Sequence, residues 1–310
     1  MSKYRWTREN WPIACAMIPF APTLPDGTLV QDAPAEAWDD ALAQVAEEGF
    51  TELDPTDSWM RVADLEPSRL NEFKAVVKQN GLTVPSMSTS RKCVIDPEVG
   101  DEMLAYCHRF LDTAAELGAE EVAFGFFGPF TEAQTKELWF WLAEGYTNPD
   151  DPATWKLAVE RIQELADHAK EVGISIAMEM YEDTYIGTPE SAVRFVTDVD
   201  RDNVGICADI GNLVRLHRPM PKWNEMLAQV APFMKYWHVK NYIRDEDPAT
   251  GTYSSAPVPI EFGIINYREA IRMALAEGFA SPILLESYGG DGLSVCGKNL
   301  QTLRRILPRA

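Results

Sequence analysis

Val172-Gly173-Ile174-Ser175-Ile176-Ala177-Met178-Glu179 joins the end of a helical pattern to a strand-like one. A helical pattern over 153–172 stops at a glycine, the residue that most readily takes the left-handed conformation ending a helix. A strand-length apolar run, 175–180, follows at once, with the acidic Glu179 near its end. The order of helix, glycine and strand recurs at Glu48-Gly49-Phe50, Asn80-Gly81-Leu82 and Leu117-Gly118-Ala119.

Short apolar runs that read as strands lie at 13–20, 51–54, 83–88, 121–126, 175–180, 204–209, 236–239 and 283–286. Amphipathic stretches that read as helices lie near 35–48, 68–80, 101–117, 153–172, 188–199, 220–232, 266–277 and 297–306. Thr188-Pro189-Glu190 and Asp151-Pro152 set a capping residue and a proline at two helix starts. Eight strand–helix units in succession predict an α/β fold, a (β/α)8 TIM barrel, as one domain over residues 1–310. The alternative is an open doubly wound sheet. It usually carries a glycine-rich phosphate loop after its first strand, and no GxGxxG or Walker sequence occurs here. Two insertions, 127–152 and 241–265, are longer than a connection needs. Both follow strands, so in a barrel both lie on the catalytic face.

Composition narrows the function. With 46% hydrophobic residues in 310, the chain can bury one large core. Its 48 acidic and 28 basic residues give a formal charge of −20, which repels nucleic-acid backbones and anionic membrane surfaces. The longest apolar runs are strand-sized, far short of the ~20 residues a membrane helix needs. Five scattered cysteines (Cys15, Cys93, Cys107, Cys207, Cys296) form no CxxC pair and fit reduced thiols. The stretch 1–11 has no apolar run of signal-peptide type, and a cytoplasmic setting is expected.

The chemistry gathers at the last four strands. Ile176-Ala177-Met178-Glu179, Ile206-Cys207-Ala208-Asp209, Tyr236-Trp237-His238 and Leu284-Leu285-Glu286 each end in a metal-capable side chain. Each alone has a plainer reading, a salt-bridged carboxylate or a hydrogen-bonded core histidine. Four consecutive strands ending this way point to one divalent metal on Glu179, Asp209, His238 and Glu286. An ionised carboxylate closing an apolar strand is costly to bury without a partner. Three carboxylates and one imidazole suit Mn2+ best, with Mg2+ and Co2+ as alternatives, whereas structural zinc favours clustered thiolates. Lys240, two residues beyond His238 and so on the same strand face, is a further candidate catalytic group; the alternative is a surface lysine. His217 follows the sixth strand and is a candidate pocket residue. His108 and His168 fall within helices and read as structural.

Glu179, Asp209-Ile210-Gly211-Asn212, His238-Val239-Lys240-Asn241 and Glu286 together resemble the xylose isomerase-like barrel superfamily, in strand–helix order along nearly the whole chain. That superfamily includes sugar isomerases, ketose 3-epimerases, inosose dehydratases and endonuclease IV. The resemblance implies that Glu179 and Glu286 both bind metal and move protons at the carbon beside a metal-polarised carbonyl. It also implies a substrate-binding role for Arg244, six residues after His238. Two positions depart from the epimerase pattern. Tyr185 stands where a further glutamate is expected, and Asn212 where a histidine is, so both are candidate substrate-binding residues of altered character. The Tyr181-Glu182-Asp183-Thr184 segment and 238–247 look like the catalytic α subunits of bacterial C-glycoside deglycosidases. That branch implies C–C bond cleavage of 3-oxo-C-glycosides by elimination, and a smaller β-rich partner subunit or a homo-oligomer. Sugar isomerisation or ketose 3-epimerisation is the alternative reaction. A non-catalytic sugar-binding barrel is the alternative from another class.

Overall fold

The computed structural model describes residues 4–309. Met1, Ser2 and Lys3 of the N-terminal stretch read above, and Ala310, lie outside them. Eight parallel strands form the barrel: β1 (Ile13–Ala16), β2 (Glu52–Asp54), β3 (Ser86–Ser88), β4 (Glu121–Phe124), β5 (Ser175–Glu179), β6 (Val204–Cys207), β7 (Met234–Val239) and, last in the chain, β10 (Ile283–Leu285). Their order in space, β2-β1-β10-β7-β6-β5-β4-β3, follows the chain around the ring. The ring closes between β2 and β3 by one parallel bridge, Glu52 to Thr83. There Leu53 donates to the Thr83 carbonyl at 2.9 Å and Thr83 to that of Thr51 at 3.0 Å.

Helices α1 (Ala35–Glu47), α2 (Pro67–Gln79), α3 (Gly100–Leu117), α4 (Pro152–Val172) and α5 (Pro189–Val199) wrap the first strands. The short α6 (Gly211–Val214), then α7 (Trp223–Val230), α8 (Tyr267–Ala276) and α9 (Gly292–Ile306) complete the layer. Four helix ends lie where sequence signals put them, whereas α9 begins five residues before the expected 297. Asp151 caps α4 by accepting from Ala153 and Thr154 at 2.9 and 3.0 Å. Thr188 and Ser191 exchange hydrogen bonds as a capping box on α5. Gly118 and Gly173 end α3 and α4 at φ of 85° and 82°, which a side chain would strain.

The strand period of two sorts the interior. Ala14, Ala16, Ala123, Ala177, Cys207, Tyr236 and Leu284 pack together inside the barrel. The alternating residues, among them Ile176, Met178, Ile206, Trp237 and Leu285, face the helices in the larger outer core. One step of two beyond Ala177, Cys207, Tyr236 and Leu284 come Glu179, Asp209, His238 and Glu286. The hydrophobic alternation therefore aims all four at the barrel axis, one layer above a mostly small-residue floor. β6 meets β7 with a register shift at Ile206/Cys207, and Asp209 lies just past it. Such irregularities commonly re-aim a side chain beside a site.

The insertion 241–265 is not a loop throughout. It forms an antiparallel hairpin, β8 (Asn241–Asp247) with β9 (Thr252–Val258). Charges interrupt its alternation, which hides the strand pattern in the sequence. Insertion 127–152 folds against it: Trp141 Nε1 donates to Ser255 Oγ at 3.3 Å, and its ring meets Tyr242 edge-on at 5.6 Å.

Candidate metal centre

The four strand-end groups converge. One ligand atom from each of Glu179, Asp209, His238 and Glu286 can be chosen so that all lie within 4.8 Å of one another. His238 Nδ1 is 3.7 Å from Glu179 Oε1, 3.8 Å from Asp209 Oδ2 and 3.9 Å from Glu286 Oε1. All four residues are buried, Asp209 completely. Two ligand atoms on opposite sides of one ion at about 2.1 Å are about 4.2 Å apart, so the cluster is nearly the size of a coordination sphere.

The decisive atom is His238 Nδ1, which is buried and has no hydrogen-bond partner. The other ring nitrogen, Nε2, lies 3.3 Å from Ser88 Oγ, and that hydroxyl donates to Asp54 Oδ2 at 2.8 Å. Ser88 therefore accepts from Nε2, which fixes the proton there and turns the Nδ1 lone pair toward the carboxylates. A lone pair facing three carboxylates calls for a cation. The donor set fits a hard or borderline divalent ion. Burial opposes protonation of His238, but the Cys207 sulfur and the Glu179 carboxylate outweigh it and raise its pKa well above that of ordinary imidazole, so without an ion Nδ1 carries a proton that a divalent cation would displace.

Lys240 completes the charge pattern. Its buried ammonium reaches Asp209 Oδ2 at 2.5 Å and also pairs with Glu286 Oε1. Burial opposes the charge, but the two carboxylates outweigh it and hold the lysine well above its usual pKa. Asp209 moves the other way from a free carboxyl: burial, with Glu286 and Glu179 beside it, pushes its pKa up. At Glu286 burial is outweighed by Lys240 and His238, and its carboxyl is held below the usual range. With the imidazole neutral and all three carboxylates ionised, the ammonium leaves two net negative charges, which one divalent ion would balance.

The other sequence candidates lie elsewhere or act differently. Asn212 Nδ2 donates to Glu179 Oε1 at 3.1 Å and to the Met180 carbonyl at 2.9 Å, so it orients a ligand carboxylate. Tyr185 turns away. Its hydroxyl donates to the Pro149 carbonyl at 2.6 Å, and its ring packs on Phe126 and Trp155. Arg244 donates to the carbonyls of Val214, Leu216 and Arg218, which ties the hairpin to the segment after α6. His217 accepts from or donates to Ser255 Oγ at 3.1 Å and lines a cavity of about 410 Å³.

A second cavity, about 300 Å³, opens directly over the cluster and includes Glu179, His238 and Glu286 in its wall. Phe127, Tyr181 and Arg91 line both cavities. Arg91 was not singled out from the sequence. It has φ of 57°, and its guanidinium lies 3.3 Å from the centre of the Phe130 ring while donating to the Gly128 carbonyl and the Tyr181 hydroxyl. Also unforeseen was the Asp54–Ser88 support beneath His238. An aspartate closing the second strand, in the same pattern as the ligands, was the available signal.

A family model described as xylose isomerase-like TIM barrel matches residues 42–306. The chain is 49% identical to a xylose isomerase-like TIM barrel protein from Mycobacterium smegmatis, whose crystal structure is a complex with magnesium; the match covers 97% of this chain and 98% of that one, with a TM-score of 0.94. The chain belongs to the xylose isomerase-like TIM barrel family. More distant members of this fold include D-psicose 3-epimerase from Clostridium cellulolyticum (15% identity, TM-score 0.67, 96% of this chain and 100% of that one). The 3-keto-D-glucoside 4-epimerase of E. coli is similar at 16% identity and TM-score 0.64, over 96% of this chain and 100% of that one. At those identities the likeness is one of fold. No curated protein matches the sequence. Among the described residues, no helix is long and apolar enough to cross a membrane.

Proposed function

We propose that this xylose isomerase-like protein is a divalent-metal-dependent enzyme that enolises a keto-sugar. The observation that carries the reading is the unpartnered His238 Nδ1 facing three buried carboxylates. Glu179, Asp209, His238 and Glu286 hold the ion, Mn2+ by preference; the magnesium complex of the Mycobacterium smegmatis relative favours Mg2+ as the alternative. When bound, the ion supplies positive charge beside a substrate carbonyl, which acidifies the neighbouring C–H.

The chain's own groups do the rest. Glu179 and Glu286 approach from β5 and β10, on different sides of the cavity floor, so one carboxylate can take the carbon-bound proton and the other can return a proton. Lys240 keeps Glu286 ionised between turnovers, and Asn212 holds Glu179 in its orientation. Phe127, Phe130, Phe140 and Tyr288 line the cavity and exclude water, which strengthens each of these interactions.

For the substrate, the leading reading is a 3-oxo-C-glycoside. One carboxylate removes the C2 proton, the electrons form the C1–C2 double bond, and the aryl carbon leaves C1 with the bonding pair and takes up a proton. The cavity of about 410 Å³, which shares Phe127 and Tyr181 with the cavity over the cluster, offers room for an aglycone. A smaller β-rich partner subunit, or a second copy, is part of this reading. Isomerisation or epimerisation of the keto-sugar is the second reading, favoured by the fold likeness to a 3-keto-D-glucoside 4-epimerase. A cytoplasmic setting fits five cysteines that are all free. The test is to incubate metal-loaded protein, with and without a candidate partner, with a 3-oxo-C-glucoside and with free ketoses in deuterated water. Aglycone release selects the lyase, whereas deuterium at C2 of an aldose product selects the isomerase and deuterium at C3 of a ketose the epimerase. Neither product nor exchange from any keto-sugar overturns the proposal.

A further inference from the structure

His108 on α3 and His168 on α4 belong to the outer helical layer, and the reaction proposed above uses neither. The structure brings them together. Their Nδ1 atoms are 2.8 Å apart, with ring centres 5.0 Å apart and planes inclined by 30°. The other nitrogen of each ring meets a carboxylate from the opposite helix. His108 Nε2 is 3.0 Å from Glu164 Oε1, and His168 Nε2 is 2.9 Å from Asp112 Oδ1. Ionised carboxylate oxygens only accept, so each Nε2 carries its hydrogen. In neutral rings fixed this way both Nδ1 atoms are bare lone pairs, and two lone pairs at that distance repel unless a cation lies between them. One shared proton meets the need, and the separation is that of an N–H···N hydrogen bond. A metal ion meets it equally. Each half of the cluster has the arrangement that orients metal-bound imidazoles, a carboxylate on the remote ring nitrogen that fixes the tautomer.

We infer that His108 and His168 form a second metal site, joining α3 to α4, for a transition ion such as Zn2+, Ni2+ or Cu2+. Imidazole nitrogens suit these ions, whereas Mg2+ and Ca2+ prefer oxygen. Two nitrogens held about 2.0–2.1 Å from one tetrahedral ion are about 3.3 Å apart, so the rings separate by about half an ångström. The shared proton departs to solvent as the ion enters. The histidine side chains are 29% and 23% exposed, which leaves the remaining coordination positions to water. The sequence pattern is His108-x3-Asp112 on one helix and Glu164-x3-His168 on the other, two i,i+4 pairs that interlock across the helix contact.

The test counts Zn2+ by calorimetric titration of the full chain. The unaltered protein is expected to bind one equivalent more than His108→Gln or His168→Gln. Asp209→Asn acts on a different equivalent, so failure of the barrel site is told apart from failure of this one. The double variant D112N/E164Q is expected to keep the stoichiometry with about 10-fold weaker binding at this site. Equal stoichiometry in the unaltered chain and H168Q overturns the inference. Should the glutamine variants unfold, Cu2+ on the unaltered chain gives a second readout. Paramagnetic resonance showing a copper coupled to two imidazole nitrogens supports the site, because the barrel centre holds only His238. A spectrum with single-imidazole copper alone overturns it.

Discussion

Strands β1 to β4 and strands β5, β6, β7 and β10 both place polar side chains in the barrel interior, but they treat them in opposite ways. In the first half, the buried Asp54 carboxylate accepts from Ser88 N at 2.9 Å, Ser88 Oγ at 2.8 Å, Ser86 Oγ at 3.2 Å and, from across the barrel, Tyr236 Oη at 3.0 Å. Its hydrogen-bonding capacity is filled. In the second half, three carboxylates crowd one another and His238 Nδ1 is left without a partner. Evenly matched donors and acceptors make a scaffold, while a like-charged cluster with an orphaned nitrogen makes a site. The scaffold reaches the cluster through His238, whose Nε2 donates to Ser88 Oγ.

The largest effect should follow from breaking the second half at the two glutamates proposed to transfer protons. Glu179→Gln and Glu286→Gln keep the size of the side chain but cannot shuttle a proton, and each should lower kcat by at least about 10³-fold, with the substrate still bound. Turnover within a few-fold of the unaltered enzyme would remove these glutamates from the chemistry. Lys240→Met comes next. It leaves the Asp209 and Glu286 carboxylates buried without their cation, so the metal-free protein should lose about 3–5 kcal/mol of stability by denaturant unfolding. Saturating Mn2+ should restore most of that loss, because the ion then carries the whole compensating charge. Loss of the same size with and without metal would show that Lys240 supports the fold and not the centre.

The join between the halves is weaker. Ser88→Ala removes the acceptor that fixes the His238 tautomer, and it should weaken Mn2+ binding by about 10-fold, with Asp54→Asn in the same range. Unchanged affinity in both would detach the scaffold half from the metal. These two residues also mark the limit of what the sequence made legible. The four clustered groups could be read because hydrophobic alternation is local, and a carboxylate that ends an apolar strand stands out. The eight barrel strands and the helix ends at Gly118, Gly173, Asp151 and Thr188 were legible for the same reason. The roles of Ser88 and Arg91 depend on atoms 150 and 90 residues away, His238 and Tyr181, and no local pattern encodes such a pairing. Arg244 and Tyr185 fell away from the centre for a related reason. Spacing along the chain puts Arg244 near His238, but the β8–β9 hairpin turns it onto the carbonyls of Val214, Leu216 and Arg218. Asn212 kept its place beside the cluster, where its amide donates to Glu179 Oε1 and to the Met180 carbonyl.

The smallest effect lies at the other end of the scaffold half, at Glu121, the first residue of β4. It is buried, Oε2 has no hydrogen-bond partner, and Oε1 accepts only a long bond of 3.4 Å from Ser281. Burial pushes its pKa up to about 8, more than nearby Lys235 can offset. The folded protein therefore holds a proton here that the unfolded chain releases at about pH 4.3. Stability must then fall as pH rises from about 4 toward 8, because the folded state binds the extra proton in that window. A shift of one unit corresponds to about 1.4 kcal/mol, and the high effective dielectric of real protein interiors reduces the total to about 1–2 kcal/mol at pH 7. Glu121→Gln keeps the shape of the protonated acid and removes the titration. Its melting temperature should exceed that of the unaltered protein at pH 8 and converge with it near pH 4. A gap of constant size across that range would mean that the amide packs better for reasons of shape, and that the buried carboxyl is not what the first half of the barrel leaves unsatisfied.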